Sequence, residues 1–268
     1  MLTREPLLRI GEKMLLQHAT WPEVEAYLQD NKGIVVPIGS TEQHGPSGLI
    51  GTDALTAEII GRKVGEATET YVAPTLAYGM AQHHMAFTGT ITLQPSTMIL
   101  VVRDIVMSLT RHGFERIFFV NGHGGNVNSV KIAFSEIQNE LAELRANSDR
   151  VTNEPPHDVR CRLHNWWAGK KTTALRQSLY GELEGYHATP SEVAVTWYAY
   201  PEEQRDVALG PLTKIKRAYH GPEDYRELFP DGRMASDPSL ATPTDGKRLV
   251  NLAVTELAQS FRDFLTEP

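Results

Sequence analysis

The chain has 268 residues, 41 % of them hydrophobic, and a formal net charge of −7 at pH 7. That length supports a sizeable core in one large α/β domain or two small ones, while the acidic balance excludes the clustered Lys and Arg of a nucleic-acid surface. No apolar stretch reaches transmembrane length, residues 1–17 lack a signal peptide's apolar centre and cleavage site, and the single cysteine, Cys161, allows no internal disulfide, so a cytoplasmic protein without a membrane partner is expected.

Taken in chain order, Thr20-Trp21-Pro22-Glu23 reads as a helix start with proline in the first turn, for a short helix to Asp30. Gly33 to Ile38 is a buried strand. It runs into Gly39-Ser40-Thr41-Glu42-Gln43-His44-Gly45-Pro46 and then Gly51-Thr52-Asp53. With Thr52 as its cap, a helix follows to about Val64. Tyr71 to Leu76 is a second strand candidate, and Thr90 to Leu93 a short edge strand. Between them lies an irregular stretch with His83, His84, Phe87 and Gly89. Ser96 caps a helix through Leu109, stopped at Gly113. Ile117 to Val120 is a further buried strand, followed by Asn121-Gly122-His123-Gly124-Gly125-Asn126 and a helix from Val127 to Arg145. Ala146 to Pro156 reads as a surface loop and Val159 to Leu163 as a strand leading to Trp166-Trp167. A helix follows Tyr186-His187-Ala188-Thr189-Pro190-Ser191-Glu192. His220 to Lys247 is rich in Pro, Gly and Asp and reads as irregular. Leu249 to Phe264 is a last amphipathic helix. Strand, glycine-rich turn and helix recur, which predicts a mainly parallel sheet with helices on both faces. No repeat or linker divides the chain, so residues 1–268 are expected to form one domain.

Sites in such folds lie beyond the carboxyl ends of the strands, where the Glu42 and His123 loops both fall. Glu42 and His44 are two apart, so an extended segment sends both side chains to one side. With Asp53 and His123 they make the usual set for two divalent cations, Asp53 being the natural bridge. The glycines flanking His123, Gly124 and Gly125 among them, keep bulk away and bring backbone amides to a substrate oxygen. Each residue also has an ordinary role alone: a loop acid for Glu42, a helix-dipole acid for Asp53, a turn histidine for His123. Their joint placement favours the metal reading. Glu192 fits a capping box with Thr189, which needs no metal and is preferred on these residues alone. His187 fits a general acid or base or a surface histidine. His83 and His84 are adjacent, so an extended segment lets only one face a site. His84 is taken as that one. Trp166 walls a small-molecule pocket or packs in the core. Cys161 reads as a small buried hydrophobe.

The Gly39 to Pro46, Gly51 to Asp53, Asn121 to Asn126 and His187 to Glu192 stretches together resemble the creatininase (creatinine amidohydrolase) family. The likeness runs from about residue 20 to 262. It implies a three-layer α/β/α fold and two divalent metal ions, zinc first, with manganese or iron as alternatives. By that resemblance Glu42 binds one ion, His44 the other and Asp53 both, while His123 completes one sphere. Creatininase proper carries a carboxylate where this chain has Gly125. The resemblance therefore turns Glu192 from a cap into a ligand. It also makes His187 the carrier of a proton to the leaving nitrogen, after a metal-bridging hydroxide attacks the amide carbonyl. The implied activity is hydrolysis of a C–N bond in a small cyclic or linear amide, with a hexameric homo-oligomer as the assembly. Ser47-Gly48-Leu49 and Thr88 depart from the family pattern near the pocket. They leave open a formamide deformylase or a small peptidase as the enzyme alternative, and a metal-binding scaffold as the non-catalytic one.

Overall fold

The computed structural model describes residues 14–146 and 158–267. The N-terminal reading up to residue 13, and the loop expected beyond Ala146, lie outside the described residues. Three strands form a parallel sheet in the order β1 (Gly33–Ile38), β2 (Arg116–Asn121), β3 (Arg160–Asn165). The register pairs Gly33 with Arg116 and Arg116 with Arg160, and likewise Ile38 with Asn121 and Asn121 with Asn165, so all three carboxyl ends finish level. The first two strands are buried along their whole length, which is why they read as continuous apolar runs rather than alternating ones.

Alternation still sorts the side chains between two helix layers. Ile34, Val36, Ile38, Ile117 and Phe119 face α3 (Pro95–Arg111) and α4 (Asn126–Ala146). Val35, Phe118 and Val120 face α2 (Thr52–Thr68), α6 (Pro190–Ala199) and α8 (Pro243–Leu265). The result is the expected three-layer α/β/α sandwich. Among the described residues no helix is long and apolar enough to cross a membrane.

Several local readings change. Tyr71 to Leu76 runs beside β1 but touches it only at isolated bridges, Val72 to Val35 and Leu76 to Ile38, since Pro74 has no N–H to give a ladder. Thr90 to Leu93 makes a single bridge, Ile91 to Thr41. The helix after the first motif is capped at Gly51, not Thr52, and runs to Thr68. Pro95, not Ser96, opens α3 behind Gln94. A helix over Lys170–Tyr180, α5, goes unread in the sequence. Another, α7 (Pro222–Leu228), interrupts the segment expected to be irregular. Helix α8 starts at Pro243, where Thr242 accepts from the Asp245 N–H.

Candidate metal centre

Glycines let the site assemble. A Cβ on Gly39 would overlap the backbone at Asp53 and Ala54, so only glycine lets the end of β1 touch the start of α2. That contact brings Asp53 to Glu42. A Cβ on Gly122 would overlap the Asp53 carbonyl, and one on Gly125 would overlap the His123 ring. A Cβ on Gly124 meets nothing within 4 Å among the described residues, so no protein neighbour demands glycine there. Ala188 takes a left-handed φ of 54°, which costs a non-glycine residue about 1 kcal/mol. The turn lets His187 face the centre while Thr189 begins α6.

Four of the expected residues meet closely. His44 Nε2 is 3.0 Å from Asp53 Oδ1, and His123 Nδ1 is 2.9 Å from Asp53 Oδ2. His123 Nε2 is 3.3 Å from Glu42 Oε2. Glu192 joins them, with Oε1 3.8 Å from His44 Nε2. It also completes the capping box: Oε1 accepts the Thr189 N–H at 2.6 Å. The cap therefore leaves the rival role open, because a carboxylate has lone pairs to spare.

The donor set fits divalent cations. Glu42 is 0 % exposed, and among the described residues neither of its oxygens accepts a hydrogen bond. A buried, uncompensated carboxylate is very costly unless a cation meets it. Donor atoms of Glu42, Asp53 and His123 lie within 4.8 Å of one another, as do those of His44, His187 and Glu192. One nitrogen of each ring meets a backbone carbonyl, although that of His123 also faces Glu42. His44 Nδ1 is 3.0 Å from the Glu42 carbonyl, and His123 Nε2 is 3.0 Å from that of Met80. Metal-binding imidazoles are oriented in this way.

The charges respond to this crowding. Burial disfavours charge on His44, but Asp53, Glu192 and Glu42 outweigh it and push the imidazole up to about 10. His123 rises to about 9 against the same burial, through Glu42 and Asp53. Asp53 is held well below the carboxylate range: the two imidazoles overcome its burial. Glu192 is pushed up to about 7 by burial, with His44 opposing. His84 and His187 fall well below the histidine range, through burial and then through neighbouring imidazoles, so both are neutral.

A cavity of about 450 Å³ opens over the centre, walled by His83, Trp166, Trp167, Tyr186, Tyr219 and Met234. His84, Gly124 and Gly125 line it as well. Trp166 does both things foreseen for it: it is 2 % exposed within the core and it faces the cavity. Both His83 and His84 line the cavity, against the expectation of one. Residues Gln82–His84 form a 3₁₀ turn rather than an extended run, so their rings lie side by side, 4.0 Å between centroids. Sequence reasoning missed Tyr219, which stacks on His83, and Arg176, which lines the cavity paired to Glu184. It also gave no role to Gln43, although that residue sits inside the most informative motif.

Level strand ends, glycine loops and a buried carboxylate–imidazole cluster define a class: α/β/α proteins with a centre suited to two divalent cations. Comparison with known proteins gives the family. Residues 17–261 match Creatininase, described as creatinine amidohydrolase, and the chain belongs to that family. Similar relatives include a mycofactocin precursor peptide peptidase of Mycobacterium ulcerans, 34 % identical over 131 residues, or 46 % of this chain. The matched stretch spans 48 % of that relative, about half its length. The corresponding peptidase of Mycobacterium tuberculosis is 34 % identical over 88 % of this chain and 86 % of its own. The creatinine amidohydrolase of Pseudomonas putida is 29 % identical over 95 % of this chain and 98 % of its own. A solved creatinine amidohydrolase superposes with a TM-score of 0.82 at 24 % identity, covering 95 % of this chain and 99 % of its own. That likeness establishes the fold.

Proposed function

We propose that this chain is a metal-dependent hydrolase of C–N amide bonds, organised as one domain. The observation that carries the reading is the largely buried Glu42–His44–Asp53–His123–Glu192 cluster, each of whose histidines meets a backbone carbonyl with one ring nitrogen. Glu42, Asp53 and His123 would hold one ion, and His44, Asp53 and Glu192 the other. Zinc is the first choice, with manganese or iron as alternatives. Bound there, the pair of cations polarises a substrate carbonyl and lowers the pKa of water at neutral pH. The protein supplies the rest. The aromatic cavity walls exclude water from the bound amide. The amides of Gly124 and Gly125 flank the oxygen of the scissile group. His187, neutral and beside Glu42, moves the proton to the departing nitrogen through Nδ1.

The cavity favours an amide larger than creatinine. Small-molecule pockets of roughly 300–1,000 Å³ enclose drug-sized ligands, and about 450 Å³ falls within that range. Tyr186, 75 % exposed at the rim, offers a face to a second residue or ring. A short peptide amide is therefore placed ahead of creatinine, in keeping with the peptidases among the relatives. A homo-oligomer, hexameric by family likeness, and a cytoplasmic location suited to the lone Cys161 complete the reading.

The test loads the protein with zinc or manganese and supplies creatinine, formamides and short peptides. Products are followed by proton NMR, and bound metal by mass spectrometry. Release of an amine from one of these, lost with chelator, is expected. The Asp53→Ala variant is expected to lose both metal and turnover. Two bound ions with every amide left intact would overturn the reading.

A further inference from the structure

One carboxamide, that of Gln43, touches two of the three imidazoles that flank Glu42. Gly45 N–H can only donate, and it meets Gln43 Oε1 at 2.9 Å. The Gly232 carbonyl can only accept, and it meets Gln43 Nε2 at 3.0 Å. The amide therefore has a single orientation. It is also clamped: a Cβ on Gly232, itself at φ +85°, would overlap Gln43 Oε1. Gln43 Nε2 lies 2.9 Å from His84 Nδ1 and 2.9 Å from His187 Nε2. His187 Nε2 lies 2.7 Å from the backbone carbonyl of Gln43 itself.

The shorter contact, 2.7 Å from His187 Nε2 to the Gln43 carbonyl, decides the hydrogens, and the 2.9 Å contact of Gln43 Nε2 with His187 Nε2 is then a close approach of two donors rather than a hydrogen bond. Gln43 Nε2 gives one hydrogen to Gly232 and the other to His84 Nδ1. His187 Nε2 carries a hydrogen and gives it to the Gln43 carbonyl. The opposite choice, in which the Gly232 carbonyl accepts from the Tyr225 hydroxyl alone, points a bare His187 Nε2 at a carbonyl oxygen 2.7 Å away. His84 therefore carries its hydrogen on Nε2, and His187 has a bare Nδ1. The rings are stacked, 4.1 Å between centroids and 26° between planes. Both inward nitrogens face Glu42 Oε1, at 3.3 Å for His84 and 3.7 Å for His187. His84 is 1 % exposed, lines the cavity, and its Nε2 has no hydrogen-bond partner among the described residues.

We propose that Gln43 is a positioning residue that holds two stacked histidines in the same Nε2–H tautomer but turned opposite ways, so that His84 presents its N–H to the centre and His187 its bare nitrogen. It makes His84 Nε2–H a donor to the substrate's carbonyl oxygen and leaves His187 Nδ1 as the acceptor that moves the proton. The substrate half of this statement rests on the hydrolase reading above; the tautomers do not.

The test is long-range ¹H–¹⁵N NMR of ¹⁵N-histidine-labelled, zinc-loaded protein, with the two rings assigned by the signals lost in His84→Gln and His187→Asn. Pyrrole-like Nε2 on both rings and pyridine-like Nδ1 on both rings are expected in the resting protein. In Gln43→Glu the carboxylate can only accept, so His84 is expected to move its hydrogen to Nδ1 while His187, held by a backbone carbonyl, does not change. Gln43→Met, of similar size and with no N–H, is expected to leave His84 as a tautomer mixture. It is also expected to lower kcat by about 10- to 100-fold, with KM changed far less, at unchanged zinc content. The proposal is overturned if His84 carries its hydrogen on Nδ1 in the resting protein, or if Gln43→Met leaves the His84 tautomer as it was. The expected tautomers with no amide hydrolysed would instead sink the hydrolase reading and leave the positioning role standing.

Discussion

Glu192 shows how a single side chain can serve two purposes that sequence reasoning sets against each other. Its Oε1 caps α6 through the Thr189 N–H and lies 3.8 Å from His44 Nε2. Glutamine preserves the first role, since Gln serves as well as Glu in a capping box, and abolishes the charge of the second. Glu192→Gln is therefore expected to melt within a degree or two of the parent while its affinity for the ion beside His44 falls about 10- to 100-fold. Calorimetric zinc titration and thermal melting of the same samples check this. Equal loss of stability and affinity would mean that the cap and the ligand cannot be separated.

At the scale of elements, the approach of α2 to the end of β1 decides whether a centre forms at all. A Cβ on Gly39 meets backbone atoms of α2, which cannot rotate away as a side chain can. Gly39→Ala is expected to destabilise by about 1–3 kcal/mol through overpacking and to weaken metal binding, because Asp53 stands where the helix must move. Urea midpoints and metal content measure both effects. The same scale explains what could be read in advance. The Glu42, His44 and Asp53 cluster was legible because one strand end and one helix start, adjacent in sequence, supply all three. The strands were legible from Ile34-Val35-Val36 and Ile117-Phe118-Phe119, which double burial makes uniformly apolar. Helix α5 was not: Lys170-Lys171-Thr172-Thr173 gives little apolar rhythm, and Glu256 of α8 holds its first turn by accepting from Lys171 N–H and Thr172 N–H. His83 and His84 misled because a 3₁₀ turn has no period-two alternation. Gln43 was silent because its meaning lies in partners 41 and 144 residues away.

For the whole molecule, the centre couples folding to pH. His44 at about 10 and His123 at about 9 are raised in the folded chain from a free value near 6.5. In metal-free protein they therefore contribute stability that is fully present below about pH 6.5 and is lost as pH rises through about 9 to 10. Metal-loaded protein holds the same imidazoles deprotonated and gains no such term. The gap in Tm between loaded and chelated protein is expected to widen from about pH 6.5 to about pH 9.5, and a constant gap would contradict it. The close crossing of α6 and α8 has a consequence in time. A Cβ on Gly246 would overlap the Ala194 carbonyl, and Val193 and Val195 share a core with Leu249, Val250 and Leu257. The helix bearing Glu192 thus leans on residues 243–265. During synthesis, Glu42, His44, Asp53 and His123 leave the ribosome long before that buttress does. A nascent chain can present only a half-built cluster. On the two-ion reading proposed above, cation capture would serve as a final inspection, completed only when α8 has docked.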